Sequence, residues 1–249
     1  LPEPDQLPID ACYDLLVTGV GGTGVVTVGQ LITMAAHLEN KGASVLDFMG
    51  FAQKFGPVLS YIRVAESPER INQVRIEPAR ADALIGCDLV VRSSPKASTN
   101  NAPGYTRALV NTAEMSTAYF VKQRDAKQRA EDRKDEKRDV VGAENFATLD
   151  ANRVAEKIMG NTIYANVLML GCAWQKGLVP VSFEAMMRAI ELNGVEIEKN
   201  KQAFGWGRIA AVNVERVHEL MDGEAKPADE SLDDIIKRRA EYLVDYQDQ

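Results

Sequence analysis

The sequence of 249 residues is long enough for one large domain or two modest ones. Hydrophobic residues make up 45% of it and charged residues 26%, which is ordinary for a soluble globular protein. The net charge of −7 argues against nucleic acid as a partner, because binding a phosphate backbone takes a concentrated basic surface. No apolar run approaches the roughly 20 residues that span a bilayer, and neither terminus looks like a targeting signal. We therefore expect a cytoplasmic protein with no membrane partner.

The cysteines and histidines argue against a metal centre or a catalytic triad. Cys12, Cys87 and Cys172 are far apart in the sequence, and none belongs to a C-x-x-C motif. This fits a reducing compartment and leaves too few thiolates for zinc or an iron–sulfur cluster. His37 and His218 fall in helical patterns without an acidic and nucleophilic partner. We expect no metal ligand and no catalytic residue in this chain.

The first part of the chain alternates predicted strands and helices. Residues 1–11, which contain three prolines, are predicted to form an extended linker. A strand at 13–18, a helix at 23–40 and a strand at 43–48 form a predicted βαβ unit with a right-handed crossover. A short helix is predicted at 81–85. A further strand is predicted at 58–64, with 72–76 as a candidate partner strand, and others at 88–92, 108–111, 117–121 and 146–149.

The second part is predicted to be almost wholly helical. A block at 122–139 carries charge at 14 of 18 positions, so it is either a solvated excursion or a docking arm for a partner subunit. Helices are predicted at 151–159, 163–176, 182–192, 197–204 and 207–221, with a last one capped by Asp229. We therefore expect an α/β fold: a three-layer α/β/α domain with a Rossmann-like, mostly parallel sheet and a helical C-terminal section.

The glycine-rich turn after the first strand is the most informative motif. GVGGTG satisfies G-x-G-x-x-G at Gly19, Gly21 and Gly24, with Gly22 to spare, and Asp47 stands near where a ribose-binding carboxylate belongs. The N–H groups and the positive dipole end of the following helix favour an anion. On the residues alone three interpretations stay open: a nicotinamide or flavin dinucleotide, another phosphate or acyl carrier, and tight packing without a ligand.

Three other stretches allow both a functional and a structural interpretation. Gln53 and Lys54 follow the second strand on a glycine-flanked loop, which suits either a contact to an anionic ligand or partner, or an ordinary solvated loop. Arg63 lies within a strand pattern, so it either reaches a rim or pairs with an anion. Trp174 is predicted to be a large anchor on a helix whose small residues, among them Gly171, allow close packing. FGWGR at 204–208 favours turn and packing chemistry over a binding motif.

Four segments together resemble the gamma domain of 2-oxoacid:ferredoxin oxidoreductases, and most of all the fused indolepyruvate type. They are TGVGGTGVVTVG, SVLDFMGFAQKFGPVLSYIRVA, ADALIGCDLVV and NVLMLGCAWQKGLVPVSFEAMMRAIELNG. The resemblance covers about residues 15–208 and implies a gamma domain at 12–222. Residues 223–249 would then be a linker and a helix leading into a following domain. Phe55 and Tyr61 depart from the glycine and histidine that fused relatives tend to have.

The resemblance implies an enzyme that oxidatively decarboxylates an aryl 2-oxoacid such as indolepyruvate to an acyl-CoA and passes electrons to ferredoxin. Thiamine diphosphate and [4Fe-4S] clusters would lie in other domains, which are the expected partners in a homo-oligomer. This chain would bind no cofactor firmly, and alone it would be inactive. It would support assembly and the side that faces coenzyme A, through Gly19, Gly21, Gly22, Thr23, Gly24, Gln53, Lys54 and Arg63. A Rossmann-type dinucleotide module and a purely structural scaffold are the alternatives.

Overall fold

The computed structural model describes residues 1–5, 9, 11–49, 56–88, 99–113, 141–223 and 236. The strands of its central sheet are β1 Cys12–Val20, β2 Gly42–Met49, β3 Pro57–Ala65, β4 Ala83–Gly86, β5 Arg107–Asn111 and β6 Phe146–Leu149. The helices are α1 Val25–Leu38, α2 Ala151–Met159, α3 Ala165–Gln175, α4 Phe183–Asn193, α5 Ile197–Val212 and α6 Val214–Gly223. Short 3-10 turns lie at Pro68–Arg70, Ala143–Asn145 and Thr162–Tyr164. None of these helices is long and apolar enough to cross a membrane.

The sheet is mixed, with the strand order β2-β3-β1-β4-β5-β6. The pairs β1–β4, β4–β5 and β5–β6 are parallel, whereas β3 is antiparallel to both β1 and β2. The predicted α/β fold with a helical C-terminal section is confirmed. The predicted βαβ unit needs a correction, because β3 folds back from β2 and inserts between β1 and β2. The two strands are parallel but are not neighbours.

Two hydrophobic clusters cover the two faces of the sheet. The larger cluster joins one face to helices α1–α6, and along β1 it contains Leu15 and Val17. Leu16, between them, belongs to the smaller cluster on the opposite face, as the two-residue period of a strand requires. Trp174 and Phe204 are fully buried in the larger cluster, so the predicted anchoring role of Trp174 is confirmed.

Two predicted elements in the middle of the chain are wrong. Residues 83–86 form a strand instead of a helix, because they lie in the sheet interior between β1 and β5 and are buried on both faces. A short apolar run of this kind does not distinguish a buried strand from a buried helix. Residues 72–76 are not a strand, since only Ile76 of this alternating stretch is buried. The partners of β3 are β1 and β2 instead.

The predicted break between two helices at 204–207 is also wrong, because α5 runs through it. Of the two glycines at this point, Gly207 serves close helix packing instead of a turn. A Cβ on Gly207 would lie 1.9 Å from the carbonyl oxygen of Leu168 on α3. A Cβ on Gly171 would lie 2.1 Å from the carbonyl oxygen of Phe204 on α5. The backbones of α3 and α5 are therefore in direct contact, which confirms the predicted role of Gly171.

The end of α1 is tied to the start of α4 by a small polar cluster. Glu39 pairs with Lys41 at 2.7 Å and accepts a hydrogen bond of 2.8 Å from the backbone N–H of Ser182. Lys41 also donates to the carbonyl of Pro180 at 2.8 Å. Burial raises the pKa of Glu39, but the hydrogen bonds from Lys41 and Ser182 outweigh it and hold the pKa below its usual range. The ionised form of Glu39 therefore stabilises this junction.

Several sequence predictions lie outside the described residues. They concern the strand residues 89–92, the strand at 117–121, the charged block at 122–139, and the last helix apart from residue 236.

Candidate functional site

The carboxyl ends of β1 and β4 form the point at which the chain order of the sheet reverses. From β1 the chain continues through α1 to β2 on one side, and it later forms β4 on the other side. Open α/β sheets bind ligands at such a point. Residues 19–24, which we call the glycine loop, form the end of β1 and the turn that leads into α1.

Two glycines of this loop are required by packing within the chain. A Cβ on Gly19 would lie 2.4 Å from Cγ2 of Val25 and 3.0 Å from Cβ of Cys87. Gly21 donates a backbone hydrogen bond of 2.7 Å to the carbonyl of Gly56, and a Cβ there would lie 3.2 Å from the same oxygen. These contacts explain Gly19 and Gly21 without any ligand.

Gly22 and Gly24 have a different role, because both adopt positive φ angles of 86° and 94°. Gly24 stands at the N-terminus of α1, whose first turn contains no acidic residue. Gly22 is exposed, and a Cβ built on it meets no atom within 4 Å. The exposed side of the loop thus presents backbone at the positive end of a helix dipole, where an anion is favoured.

A hydrogen bond from α3 holds the loop in place. The side-chain amide of Asn166 donates to the carbonyl of Thr23 at 2.7 Å, with a second contact of 3.2 Å to its hydroxyl oxygen. The Thr23 hydroxyl in turn donates to the carbonyl of Val20 at 2.8 Å. Asn166 is 5% exposed, so its hydrogen bonds are shielded from water. Sequence reasoning missed this residue, although an asparagine near the start of an otherwise apolar helix was a usable signal.

The ends of β4 and β5 supply buried polar groups beside the loop. Asp88 is 1% exposed, and its Oδ2 lies 3.5 Å from the position of a Cβ on Gly19. Burial, together with the nearby Asp88 carboxylate, raises the pKa of the Cys87 thiol far above its usual value. Cys87 is therefore an inert thiol at neutral pH, not a nucleophile. Asn111 donates to the carbonyl of Cys87 at 3.1 Å and to Oδ1 of Asn152 at 2.8 Å, which joins β4, β5 and α2.

The structure does not bring Arg63 to the glycine loop. Its Nε donates to Oδ1 of Asp14 at 2.7 Å, and both side chains are buried. Because β3 runs antiparallel to β1, Arg63 faces the beginning of β1, about 16 Å along the strand from Gly19. Burial raises the pKa of Asp14, and the Arg63 guanidinium offsets part of this rise. Of the two predicted roles for Arg63, pairing with an anion applies, and the anion is Asp14.

Asp47 is also displaced from the position that a dinucleotide site requires. It accepts a hydrogen bond of 2.5 Å from the hydroxyl of Ser60, its neighbour on β3. In a Rossmann fold the acidic residue ends the strand next to β1. Here β3 occupies that place, so Asp47 is two strands, about 10 Å, from β1. The ribose contact inferred from the sequence is therefore missing from this arrangement.

The remaining predicted contacts, Gln53 and Lys54, lie outside the described residues. The described ranges contain no group of three or more histidine, cysteine or acidic side chains placed to hold a metal ion. Of the predicted site residues, the structure brings together the glycines and Thr23, and it separates Arg63 from them.

Comparison with known proteins identifies the family. The family described as pyruvate ferredoxin/flavodoxin oxidoreductase matches residues 14–210. Indolepyruvate oxidoreductase subunit IorB of Pyrococcus horikoshii is 25% identical over 209 residues, covering 80% of this chain and 96% of the relative. The pyruvate/ketoisovalerate oxidoreductases common subunit gamma of Pyrococcus furiosus is 27% identical over 187 residues, covering 74% and 89%.

Solved structures share the fold. Pyruvate oxidoreductase subunit PORC of Thermotoga maritima superimposes with a TM-score of 0.56 at 20% identity, covering 80% of this chain and 96% of that one. A 2-oxoglutarate:ferredoxin oxidoreductase of Magnetococcus marinus gives 0.58 at 14% identity, covering 82% of this chain but 31% of that one. The match over residues 14–210 and the shared fold lead to one conclusion: this chain belongs to the pyruvate ferredoxin/flavodoxin oxidoreductase family.

Proposed function

We propose that this chain is the gamma-type component of a cytoplasmic 2-oxoacid:ferredoxin oxidoreductase that acts on an aryl 2-oxoacid of the indolepyruvate type. The family match over residues 14–210 carries the proposal. The names of its relatives from Pyrococcus describe subunits, so the complete enzyme contains further components. We favour indolepyruvate as the substrate because one of these relatives, at 25% identity, is an indolepyruvate oxidoreductase subunit.

The chemical steps need groups that other components would hold. Thiamine diphosphate stabilises the carbanion formed on decarboxylation, and iron–sulfur clusters accept electrons one at a time on their way to ferredoxin. The described thiols do not fit a cluster, because Cys87 and Cys172 are buried singly and burial raises the pKa of Cys172 to about 12. We therefore assign thiamine diphosphate and the clusters to partner domains, and assembly with those domains to this chain.

The glycine loop is the part of this chain that we assign to coenzyme A, the co-substrate. Its phosphates are anions, and the backbone at Gly22 is exposed next to the N-terminus of α1. Gly22 leaves open space where any other residue would place a Cβ, so a ligand could approach the backbone closely. Lys54, which belongs to the stretch that resembles gamma domains, is the cation that we assign to the same ligand.

Substitution of Gly22 in the complete enzyme tests the role of the loop. Gly22→Ala strains the backbone and puts a methyl group on the approach path, so we expect the KM for coenzyme A to rise about tenfold, or about 1.4 kcal/mol. Gly160→Ala is the matched control, since Gly160 also has a positive φ, of 78°, and open space, but it ends α2. Equal KM values in the two variants would show that the loop does not meet coenzyme A.

Lys54→Ala tests whether this lysine contacts coenzyme A. We expect it to raise the KM for coenzyme A, whereas Lys199→Ala, an exposed lysine on α5, should leave it unchanged. Unchanged coenzyme A dependence in Lys54→Ala would remove Lys54 from the proposal.

The two alternatives make different predictions. Calorimetry of this chain with NADH, NADPH and FAD would support a dinucleotide module if binding were micromolar, and the position of Asp47 argues that it is not. A purely structural loop would tolerate Gly22→Ala with a loss of stability only.

A further inference from the structure

The first residues of the chain lie on a surface formed by the ends of three helices. Residues 1–5 have no regular secondary structure and contain two prolines. They contact Gln175 at the end of α3 and Arg208 on α5, and Phe183 at the start of α4 packs against Arg208. We call these three side chains the clamp. The carbonyl oxygen of Asp5 lies 3.0 Å from the position of a Cβ on Gly177, which extends the contact beyond the clamp.

The clamp binds the main chain of the segment. Arg208 donates from Nη2 to the carbonyls of Leu1, at 3.0 Å, and Pro2, at 3.3 Å. Gln175 donates from Nε2 to the same Pro2 carbonyl at 2.9 Å. Arg208 also donates from Nε to Oε1 of Gln175 at 2.8 Å, so each of the two side chains orients the other.

Aromatic rings hold the guanidinium in position. Cζ of Arg208 lies 4.6 Å from the centre of the Phe183 ring and 4.9 Å from that of Trp174. The two rings are themselves in tilted contact, 5.7 Å apart. Stacked in this way, the planar fork of an arginine loses little further freedom when it binds a carbonyl. The clamp is therefore pre-organised for a hydrogen-bond acceptor.

The contacts define what kind of segment fits. Leu1 is 60% exposed, so its apolar side chain does not anchor the segment, and the hydrogen-bonded carbonyls of Leu1 and Pro2 do. An extended, proline-containing segment has no internal hydrogen bonds and offers all its carbonyls, and proline reduces the entropy lost on binding. The acidic side chain of Glu3 interacts favourably with the charge of Arg208. Charge and backbone recognition thus favour an acidic, proline-containing peptide.

We propose that the clamp is a docking site for an extended, acidic, proline-containing peptide segment, and that residues 1–5 of this chain are its occupant. The segment is then fixed on the helical face. This inference does not rest on the proposed enzymatic function. The clamp lies at the C-terminal end of α3, whereas Asn166, which holds the glycine loop, lies at the N-terminal end.

Competition between the chain's own segment and an added peptide tests the proposal. The probe is a fluorescein-labelled peptide LPEPDQ, titrated by fluorescence polarisation into the full chain and into a chain that starts at Ile9. We expect saturable binding to the shortened chain and at least tenfold weaker binding to the full chain, whose site is already filled. No saturable binding to a shortened chain that remains folded by circular dichroism, or equal binding to both chains, would overturn the proposal.

Substitutions identify the clamp as the site. In the shortened chain, Arg208→Ala and Arg208→Lys should each weaken peptide binding at least fivefold, because lysine lacks the planar fork. The control is Arg216→Ala, since Arg216 is exposed and pairs with Glu219 on α6 at 2.9 Å. A loss of binding as large in Arg216→Ala as in Arg208→Ala would mean that the peptide responds to general charge and not to the clamp.

Backbone dynamics of the full chain give a second test that needs no truncation. The amides of Glu3 and Asp5 should show heteronuclear NOE values similar to those of α3 in the unmodified chain. They should fall to values typical of a mobile segment in Arg208→Ala. Low values already present in the unmodified chain would show that the segment is not docked.

Discussion

Two glycines two positions apart on α5 should respond in opposite directions to alanine. Gly205 has no atom within 4 Å of a built Cβ, so Gly205→Ala gains helix propensity and should raise the free energy of unfolding by up to about 1 kcal/mol. A Cβ on Gly207 would lie 1.9 Å from the backbone oxygen of Leu168 and 2.7 Å from the backbone nitrogen of Cys172. Backbone atoms cannot rotate away, so α3 and α5 must separate by about 1.5 Å in a close-packed core.

Such overpacking costs about 1–3 kcal/mol, so the free energies of unfolding of the two variants should differ by about the same amount. Urea unfolding at 25 °C, followed by circular dichroism, measures both free energies under the same conditions. Because each change adds one methyl group to the same helix, intrinsic propensity cancels in the comparison. Similar stabilities for Gly205→Ala and Gly207→Ala would refute the direct backbone contact between α3 and α5.

Three further predictions concern buried and titratable groups. Arg63→Met leaves Asp14 buried without its ion pair and should lower the free energy of unfolding by about 3–5 kcal/mol, as measured by urea unfolding. The double variant that also carries Asp14→Leu should recover part of this loss. Ellman's reagent at pH 8 should modify Cys12 quickly and the two buried cysteines only after unfolding, whereas three fast thiols in the native chain would contradict their burial. The pKa of Glu39 is lower in the folded chain than the usual value of about 4.3, so its stabilisation is present above that pH and is lost as the pH falls through the folded pKa. The stability difference between the unmodified chain and Glu39→Gln should therefore be constant from about pH 5 to 7 and narrow in acid, and a difference independent of pH would contradict this.

Local features of the fold were predictable from the sequence. The strand, glycine loop and helix at the start of the chain follow from hydrophobic periodicity and from glycines at a turn. α2 begins where Asp150 accepts a hydrogen bond of 3.0 Å from the backbone N–H of Arg153, which is ordinary N-terminal capping. These signals act over a few residues, so one sequence is enough to detect them.

Long-range pairing was not predictable in the same way. No local pattern indicates that β3 pairs between β1 and β2. This pairing separates Asp47 from the glycine loop and places Arg63 beside Asp14. The run at 83–86 was ambiguous because it is buried on both faces. Gly205 and Gly207 together suggest a break in α5, and the packing role of Gly207 is visible only where the backbone of α3 lies against it.

The candidate site was predictable in position but not in its supporting contacts. The glycine loop follows from its motif, whereas the hydrogen bond from Asn166 to Thr23 joins residues far apart in the chain. A buried asparagine in an apolar helix indicates that some partner exists, but not which one. The motif therefore located the loop, and only the folded chain identifies what holds it.

The most direct test of the proposed function is ferredoxin reduction by the complete enzyme, assembled with and without this chain. We expect reduction that depends on both indolepyruvate and coenzyme A and requires this chain, and we expect no activity from the chain alone. Full coenzyme A-dependent activity of the other components without this chain would contradict the proposal.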